Sequence, residues 1–583
     1  MTGVTADKRF ERTRRLASTV SELGKLAPAV MFGIVALGAM SYLFTFPRPI
    51  ATAVAAVLPI DLNDADPTFG ILSAVGLGAL SVGLLRGKQV AWWLALATVA
   101  ATLFGQSDLL QHPVRTAVVG GVLAVLVADR RRYKVETDAG WRRIIVALLV
   151  VVAVAVGLET SLIIASTGRW PAPLAMLSDA TAAIGGAFGL DDDTAAGLLR
   201  GTSFNVLLGL LLLAARLPMV LAAIGVLARV PEAPPDPSTR ARARQIGARY
   251  GRGALLPFQL GDDKLLFCPS DADGCIVYGL AGRTAVVVGD PIAADDSCLA
   301  VLDAFRDQSH RFDRKVTFYQ ASDAMRAGLE RAGFYVFKVG QEALIDLAGF
   351  DLAGSRRANL RHTITRCGRG GVSVKWLPNG LGSGRDATGL LDELGAIDLE
   401  WRRGAGPRMG FTISDLDEEA LRTLPVSIAF DQAGKVVAYS TFRPTGPDRG
   451  WVLDLMRRVP HGEPGAVEWC IAEAALGLKA MNADRLSLGL APLAGLSATS
   501  GPAAERLLAM AARWARRRYD VLGLAFFKAK FDPVWVPRYG AIGRGRDLAG
   551  YGVALLRLHY RKTNLRAATV PYSDVRISVE SVR

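Results

Sequence analysis

Six apolar runs constrain this chain more than any other feature of its sequence, at about 26–46, 68–86, 90–105, 113–128, 144–166 and 203–228. Each approaches the ~20 residues that an α-helix needs to cross a bilayer, the third and fourth by borrowing flanking residues. Past about residue 230 the composition turns to that of an ordinary globular protein. The 51% hydrophobic content and the mean hydropathy of +0.28 therefore belong chiefly to the front of the chain. A length of 583 residues also exceeds one ordinary domain. The expected organisation is a basic N-terminus over 1–25, a multi-pass α-helical membrane domain of about six helices over 26–229 and a Pro/Arg-rich linker over 230–256. A cytosolic α/β domain follows over 257–565, with a tail over 566–583.

Loop charges set the orientation. KRFERTRR (Lys8–Arg15), Arg86–Lys88 and Asp129–Lys134 with Arg142 and Arg143 are basic, whereas Asp61–Pro67, QSDLLQHP and Gly189–Gly197 are acidic or near neutral. By the positive-inside rule this alternation gives six crossings of the plasma membrane, with both termini and the soluble part in the cytosol. The first run is long and lacks a small-residue cleavage site, which argues against a cleaved signal peptide. Two ions fall within or beside spans, Glu159 and Arg216. An intramembrane charge is a functional candidate because burying it costs a few kcal/mol or more. Glu159 either serves such a role or faces the interfacial region. Arg216 either meets a lipid phosphate or marks a break where the helix re-emerges. A homo-oligomer, if one forms, is expected to join through this domain.

The formal charge of +14 suits an anionic partner, either nucleic acid or an acidic membrane surface. Five cysteines lie in the soluble half without CxxC spacing. Cys268 and Cys275 flank a turn where a bridge is conceivable, but reduced thiols are the expectation for a cytosolic domain. Five scattered histidines, without HxxxH or HxH, argue against a built-in metal centre.

The soluble half reads as a repeat of element order. Strand patterns in LLFCPS, CIVYGLAG and TAVVVGDPIA precede a helix over Ser297–Gln308 and a strand over Lys315–Gln320. PVSIAFDQAG, KVVAYSTFRP and GWVLDLMRR then precede a helix over Ala466–Met481 and a strand over Arg485–Leu493. Two β-β-β-α-β units predict a tandem mixed-sheet α/β fold of the acyltransferase kind, with lobes over 257–380 and 381–565. No Walker A sequence, Rossmann fingerprint or clean coenzyme A loop follows a strand, and the Gly-rich pieces Arg249–Ala254 and Arg366–Ser373 read as basic turns. The fold class points to acyl transfer, and no coenzyme or metal is expected.

Eight stretches then fall in a recognisable order: GDDKLLF (Gly261–Phe267), VVVGDPIA (Val286–Ala293), FYQ (Phe318–Gln320) and FKVGQEALIDL (Phe337–Leu347), followed by RRANLRHTITRCGRGGVSV (Arg356–Val374), LDLMRR (Leu453–Arg458), LSLGLAPLAG (Leu486–Gly495) and FKAKFDPVWVPRYG (Phe527–Gly540). Together they resemble the catalytic domain of the phosphatidylglycerol lysyltransferase family, the multiple peptide resistance factors or aminoacyl-phosphatidylglycerol synthases. The resemblance implies two tandem GNAT-like lobes that move an aminoacyl group from aminoacyl-tRNA to the glycerol head of phosphatidylglycerol, at the anionic inner leaflet. It implies a change in membrane surface charge and resistance to cationic antimicrobials. Six helices are fewer than the family's lipid-translocating members carry, and no lysyl-tRNA synthetase domain follows the second lobe.

By that resemblance Asp454 and Arg457 are the catalytic candidates. Asp454 would act as base or hold the α-ammonium of the amino acid, and Arg457 would neutralise the lipid phosphate. Three positions apart on a strand, they can meet only where the strand ends or bulges. Lys528 and Lys530, at period two in an extended FKAKF, and Arg538 are candidates for gripping a lipid phosphate or the tRNA end. Trp535 and Tyr539 read as packing. Arg356, Arg357, Arg361, Arg366 and Arg369, and in RLLAMAARWARRRY Arg506, Arg513, Arg516, Arg517 and Arg518, suit a tRNA backbone or the lipid surface. Glu342, Asp346, Asp398 and Glu400 are the acids near the shared stretches; a lysyl side chain would want one of them. The Arg-rich Glu400–Phe411 departs from the family's acidic stretch and leaves the amino acid open, lysyl, alanyl or other. Rival readings keep the donor but take diacylglycerol or another hydroxylated lipid as acceptor, or make the chain a non-catalytic lipid translocator or sensor.

Overall fold

The computed structural model describes residues 26–36, 67–105, 113–136, 237–404, 410–460, 462–499, 501–515 and 521–560, with a few isolated positions between. The chain divides into two compact units, Met1–Glu232 with His310–Asp313, and Ala233–Ser309 with Arg314–Arg583.

In the first unit a helical stretch over 26–36 and the helices α1 (Pro67–Leu85), α2 (Gln89–Gly105) and α3 (Pro113–Ala128) match the first four apolar runs. They close on a core that includes Phe32, Leu84, Ala91, Ala95 and Leu126. Polar side chains within it spend their donors on backbone, Ser81 Oγ on the Ala29 carbonyl at 2.6 Å and Trp92 Nε1 on that of Leu126 at 2.8 Å. At ~1.5 Å per residue the three helices run to roughly 24–28 Å, short of a ~30 Å hydrocarbon layer. Among the described residues no helix is long and apolar enough to cross a membrane. The fifth and sixth runs fall almost wholly outside the described residues, as do Glu159 and Arg216.

The second unit begins with α4 (Pro237–Tyr250) and α5 (Leu256–Gln259). β1 (Leu265–Phe267), β2 (Gly274–Ala281), β3 (Thr284–Val288) and β4 (Ile292–Ala293) lead to α6 (Cys298–Arg311), β5 (Lys315–Ala321), α7 (Asp323–Arg331) and β6 (Tyr335–Asp346). After α8 (Ala358–Arg369) come β7 (Ser373–Leu377), α9 (Arg385–Gly404), α10 (Glu418–Thr423), β8 (Val426–Phe430), β9 (Val436–Pro444) and β10 (Gly450–Arg458). α11 (Ala466–Ala480), β11 (Arg485–Pro492), α12 (Ala503–Ala515), α13 (Val521–Ala529), β12 (Val534–Ile542) and α14 (Leu548–His559) complete it. Both expected repeats are present within a few residues of their predicted bounds.

The repeats do not form separate sheets. The strands run β1-β2-β3-β5-β12-β6-β11-β10-β9-β8-β7, with β4 on β2, in one mixed sheet. Each repeat has a parallel pair joined by a helix, β3 with β5 and β10 with β11. Each then ends in a long strand that serves the other repeat: β12 lies against β5, and β6 against β11. That reciprocal exchange makes the sheet continuous and buries β6 and β12 between the two parallel pairs.

α11 packs on β7 to β9 because its inward face is small: Ala472, Ala474 and Ala475 are fully buried, and Gly477 receives the Trp376 indole where a Cβ would clash. The expectation of free thiols at Cys268 and Cys275 is corrected. Phe267 pairs with Ile276, so the next cross-strand pair brings their Cα atoms to 4.3 Å and the two are bridged.

Candidate functional site

The two parallel pairs differ where it matters for a site. β3 and β5 stay paired over Thr284–Val288 and Lys315–Tyr319, whereas β10 and β11 pair only from Gly450/Arg485 to Val452/Ser487. Just beyond, both strands bulge. Asp454 and Leu455 together oppose Thr441 of β9, and Leu488 and Gly489 together oppose Ala343 of β6. A bulge sharpens local twist and re-aims side chains, so the second repeat opens between β10 and β11 at a fixed point. Gly489 sits there at φ +77°, a backbone state that costs an L-residue about 1 kcal/mol or more.

On the β10 side, Asp454 is 3% exposed and its Oδ2 accepts from Arg443 Nε at 2.6 Å; Arg443 Nη2 also reaches Asp417 at 3.3 Å. Burial lowers the Arg443 pKa, but Asp454 and Asp417 outweigh it and raise it overall, so the guanidinium stays charged. Asp454 Oδ1 is buried without a hydrogen-bond partner. A cavity of about 10 Å³, lined by Asp417, Leu421, Thr441, Arg443 and Leu455 among others, lies against Asp454 and has room for about one water. A buried carboxylate oxygen left open is costly; a water, an ammonium or a hydroxyl would satisfy it.

The bulge is the one that the Asp454/Arg457 spacing required, yet the two do not pair. Arg457 Nε donates to Asp398 Oδ1 at 2.9 Å, Arg402 takes Asp398 Oδ2, and the Arg457 guanidinium lies 3.9 Å over the Trp401 ring. Arg457, 8% exposed, is thus fastened to α9. The candidate for the lipid phosphate is therefore paired inside the protein, with Asp398. Tyr439 lies in the same layer, and burial first, then Asp398, raises its hydroxyl pKa well above the ordinary value.

The second predicted basic group is corrected too. FKAKF is not extended; α13 carries Lys528, and Lys530 follows its end. Lys528 is buried and donates to the carbonyls of Gly489 at 3.0 Å and Leu490 at 2.7 Å, bracing the β11 bulge from beneath. Burial pushes its pKa down to about 7, with Glu342 pulling upward. Lys530 pairs with Glu468 at 2.8 Å. Arg538 grips Glu342 Oε2, its Nε at 2.8 Å, while Ser487 Oγ donates to Glu342 Oε1 at 2.5 Å. Glu342 and Asp398 are therefore neutralised within the fold; Asp346 and Glu400 are exposed. Trp535 joins the α11 core and Tyr539 is buried under Arg326, as packing residues should be.

The arginine candidates separate. Arg361 spends its guanidinium on the carbonyls of Leu352 and Gly354, and Arg357 on those of Phe531, Gly349 and Asp351 and on the Phe350 ring. Both hold the loop before α8. Arg356, Arg366, Arg369 and Arg506 are exposed. Arg513 lies in α12, and Arg516, Arg517 and Arg518 fall outside the described residues. Sequence reasoning missed Arg443, Asp417, Ser487 and Gly489. Strand register brings Arg443 to Asp454, and Asp417, the N-cap of α10, reaches Arg443 from outside the sheet.

A phosphatidylglycerol lysyltransferase of Bacillus subtilis is 28% identical over 300 residues, 51% of this chain and 34% of that protein. One from Staphylococcus xylosus is 25% identical over 300 residues, 51% of this chain and 35% of its own length. The chain thus spans about a third of the length of the curated relatives it matches. The structure of L-PGS from Bacillus licheniformis is 27% identical, with a TM-score of 0.49, covering 57% of this chain and 99% of that one. The family model for the C-terminal region of phosphatidylglycerol lysyltransferase matches residues 248–542, just over half of the chain, and the protein belongs to that family.

Proposed function

We propose that this chain is a membrane-associated aminoacyltransferase that passes an aminoacyl group from aminoacyl-tRNA to the glycerol hydroxyl of phosphatidylglycerol on the cytosolic side of the plasma membrane. Family membership over 248–542 supports the reaction class. The observation that carries the reading is the pair of bulges where β10 and β11 part, one at Asp454, whose buried Oδ1 has no hydrogen-bond partner among the described residues, and one at Gly489, braced by Lys528.

The donor ester is already activated, so the residues must position, move protons and stabilise charge. The lipid hydroxyl attacks the ester carbonyl, the C–O bond to ribose breaks, the hydroxyl proton leaves and the ribose oxygen gains one. Asp454, held by Arg443, presents Oδ1 to the α-ammonium or to the attacking hydroxyl. Lys528 is suited to proton transfer, because a pKa near the working pH maximises that step, worth about 10²–10⁴-fold. Arg443, Asp417, Arg457 and Asp398 are positioning residues that lock β9, β10 and α9.

Lipid extracts from cells with and without the protein, compared by mass spectrometry, test the reading. A new aminoacylated phosphatidylglycerol whose formation is RNase-sensitive, lost in Asp454→Ala while the protein still folds, supports it. The same amino acid on a different lipid would move the acceptor, and no new lipid with charged tRNAs present would end the enzymatic reading.

A further inference from the structure

α12 and α14 share one core, to which Ala504 and Leu508 of the former and Tyr551, Ala554 and Leu558 of the latter contribute. Among the described residues their outer faces are uncovered and apolar. Leu507 and Met510 on α12 are 53% and 49% exposed, Val553 and Leu556 on α14 are 48% and 59%, and Tyr560 just past α14 is 41%. Their spacings, 507 to 510 and 553, 556 and 560, are those of one stripe per helix. Arg506 and Arg557 are exposed beside these stripes. The only acid of α12, Glu505, accepts the Lys338 backbone N–H at 2.8 Å, and α14 has no acid in its sequence.

This combination selects a partner. A nucleic acid would use the cations but gain nothing from Leu507, Met510, Val553 and Leu556. A second copy presenting the same face would oppose arginine to arginine. An anionic bilayer uses both, apolar side chains at the headgroup–acyl boundary and guanidinium groups on lipid phosphate. We propose that the outer faces of α12 and α14 dock on an anionic lipid surface, with Leu507, Met510, Val553, Leu556 and Tyr560 entering the interface and Arg506 and Arg557 meeting phosphates. This deepens the lipid-headgroup reading and rests on it, by naming the side of the catalytic unit that meets its substrate's membrane.

The full chain is reconstituted in a Cys298→Ser background, with an environment-sensitive fluorophore on Leu507→Cys or Leu556→Cys, and on Met481→Cys, an exposed apolar control at the end of α11. Vesicles of phosphatidylcholine, alone or with roughly 30 mol% phosphatidylglycerol, carry a lipid-borne quencher. Labels at 507 and 556 are expected to show at least about threefold stronger quenching than the label at 481 in anionic vesicles. That excess should shrink on neutral vesicles and on adding Arg506→Gln and Arg557→Gln. Equal quenching at all three sites overturns the proposal. So does shielding already present in detergent, which means cover by this chain itself, self-quenching between labelled copies, or shielding produced by tRNA without lipid. The fluorescence reads depth and not turnover, so docking without aminoacyl transfer, or transfer without docking, shows which of the two readings has failed.

Discussion

Replacing Lys528 with methionine tests the buried amine directly. Methionine keeps an unbranched stem of similar length and removes the charge. Burial takes the Lys528 pKa from the ordinary 10.5 to about 7, so between these values the unfolded chain holds a proton that the folded one has lost. Stability must therefore rise with pH across that window, and the penalty is complete below pH 7, where both states are protonated. The linkage relation puts this penalty at about 4 kcal/mol at pH 7 and about 2 at pH 9. Against it stand two hydrogen bonds to the Gly489 and Leu490 carbonyls, whose loss costs about 1 kcal/mol each. Lys528→Met is thus expected to exceed the parent protein in stability by roughly 2 kcal/mol at pH 7 and to equal it near pH 9. Denaturant unfolding of both proteins in one detergent, followed by tryptophan fluorescence at several pH values, measures the difference. Transfer activity should fall at every pH, because the proton-transfer group has gone. Parallel stability curves from pH 7 to 9 would mean that Lys528 keeps an ordinary pKa, and its place in the proton-transfer scheme would go with them.

Asp398 balances two arginines, so Asp398→Leu should destabilise by about 3–5 kcal/mol, more than Arg457→Met, which leaves Asp398 its Arg402 partner; comparing denaturation midpoints checks the order. Asp454→Asn keeps the shape but weakens the buried bond to Arg443, so a lower unfolding midpoint is expected, together with a fall of at least about tenfold in kcat measured on the folded protein. Arg356→Gln with Arg366→Gln should weaken apparent aminoacyl-tRNA affinity and flatten its salt dependence by about two charges, whereas Arg361→Gln should loosen the loop before α8 and leave the salt slope alone; titrations at several ionic strengths separate them.

The element order of each repeat was legible because turns, alternation and helix periodicity are local signals. What the repeats do with their last strands was not. A strand such as Val534–Ile542 reads the same whether it pairs with its own repeat or crosses to β5, since hydrogen-bonding edges carry no address in sequence. The FKAKF stretch misled for a related reason. Its lysines alternate as on a strand, but Phe527 and Phe531 are four apart and their rings meet at 5.8 Å, the spacing of a helical face. Burial of that face in the α11 core overrode the alternation and turned Lys528 inward.

Asp454 shows how far a motif reaches. The strand-end acid was visible in the sequence, and so was the condition that it could meet Arg457 only where the strand ends or bulges. Its partner was not, because Arg443 is placed by the Val452–Arg443 register, eleven positions back and across a turn. The consequence is chemical. An Asp454–Arg457 pair would have left a neutralised couple at the strand end with nothing to offer a substrate. Separate partners leave Arg457 as an anchor in α9 and Asp454 with one oxygen held and one open. The bulge therefore divides the motif's two charges: Arg457 is tied to α9, and Asp454 is tied to β9 beside the small cavity lined by Asp417, Thr441 and Leu455.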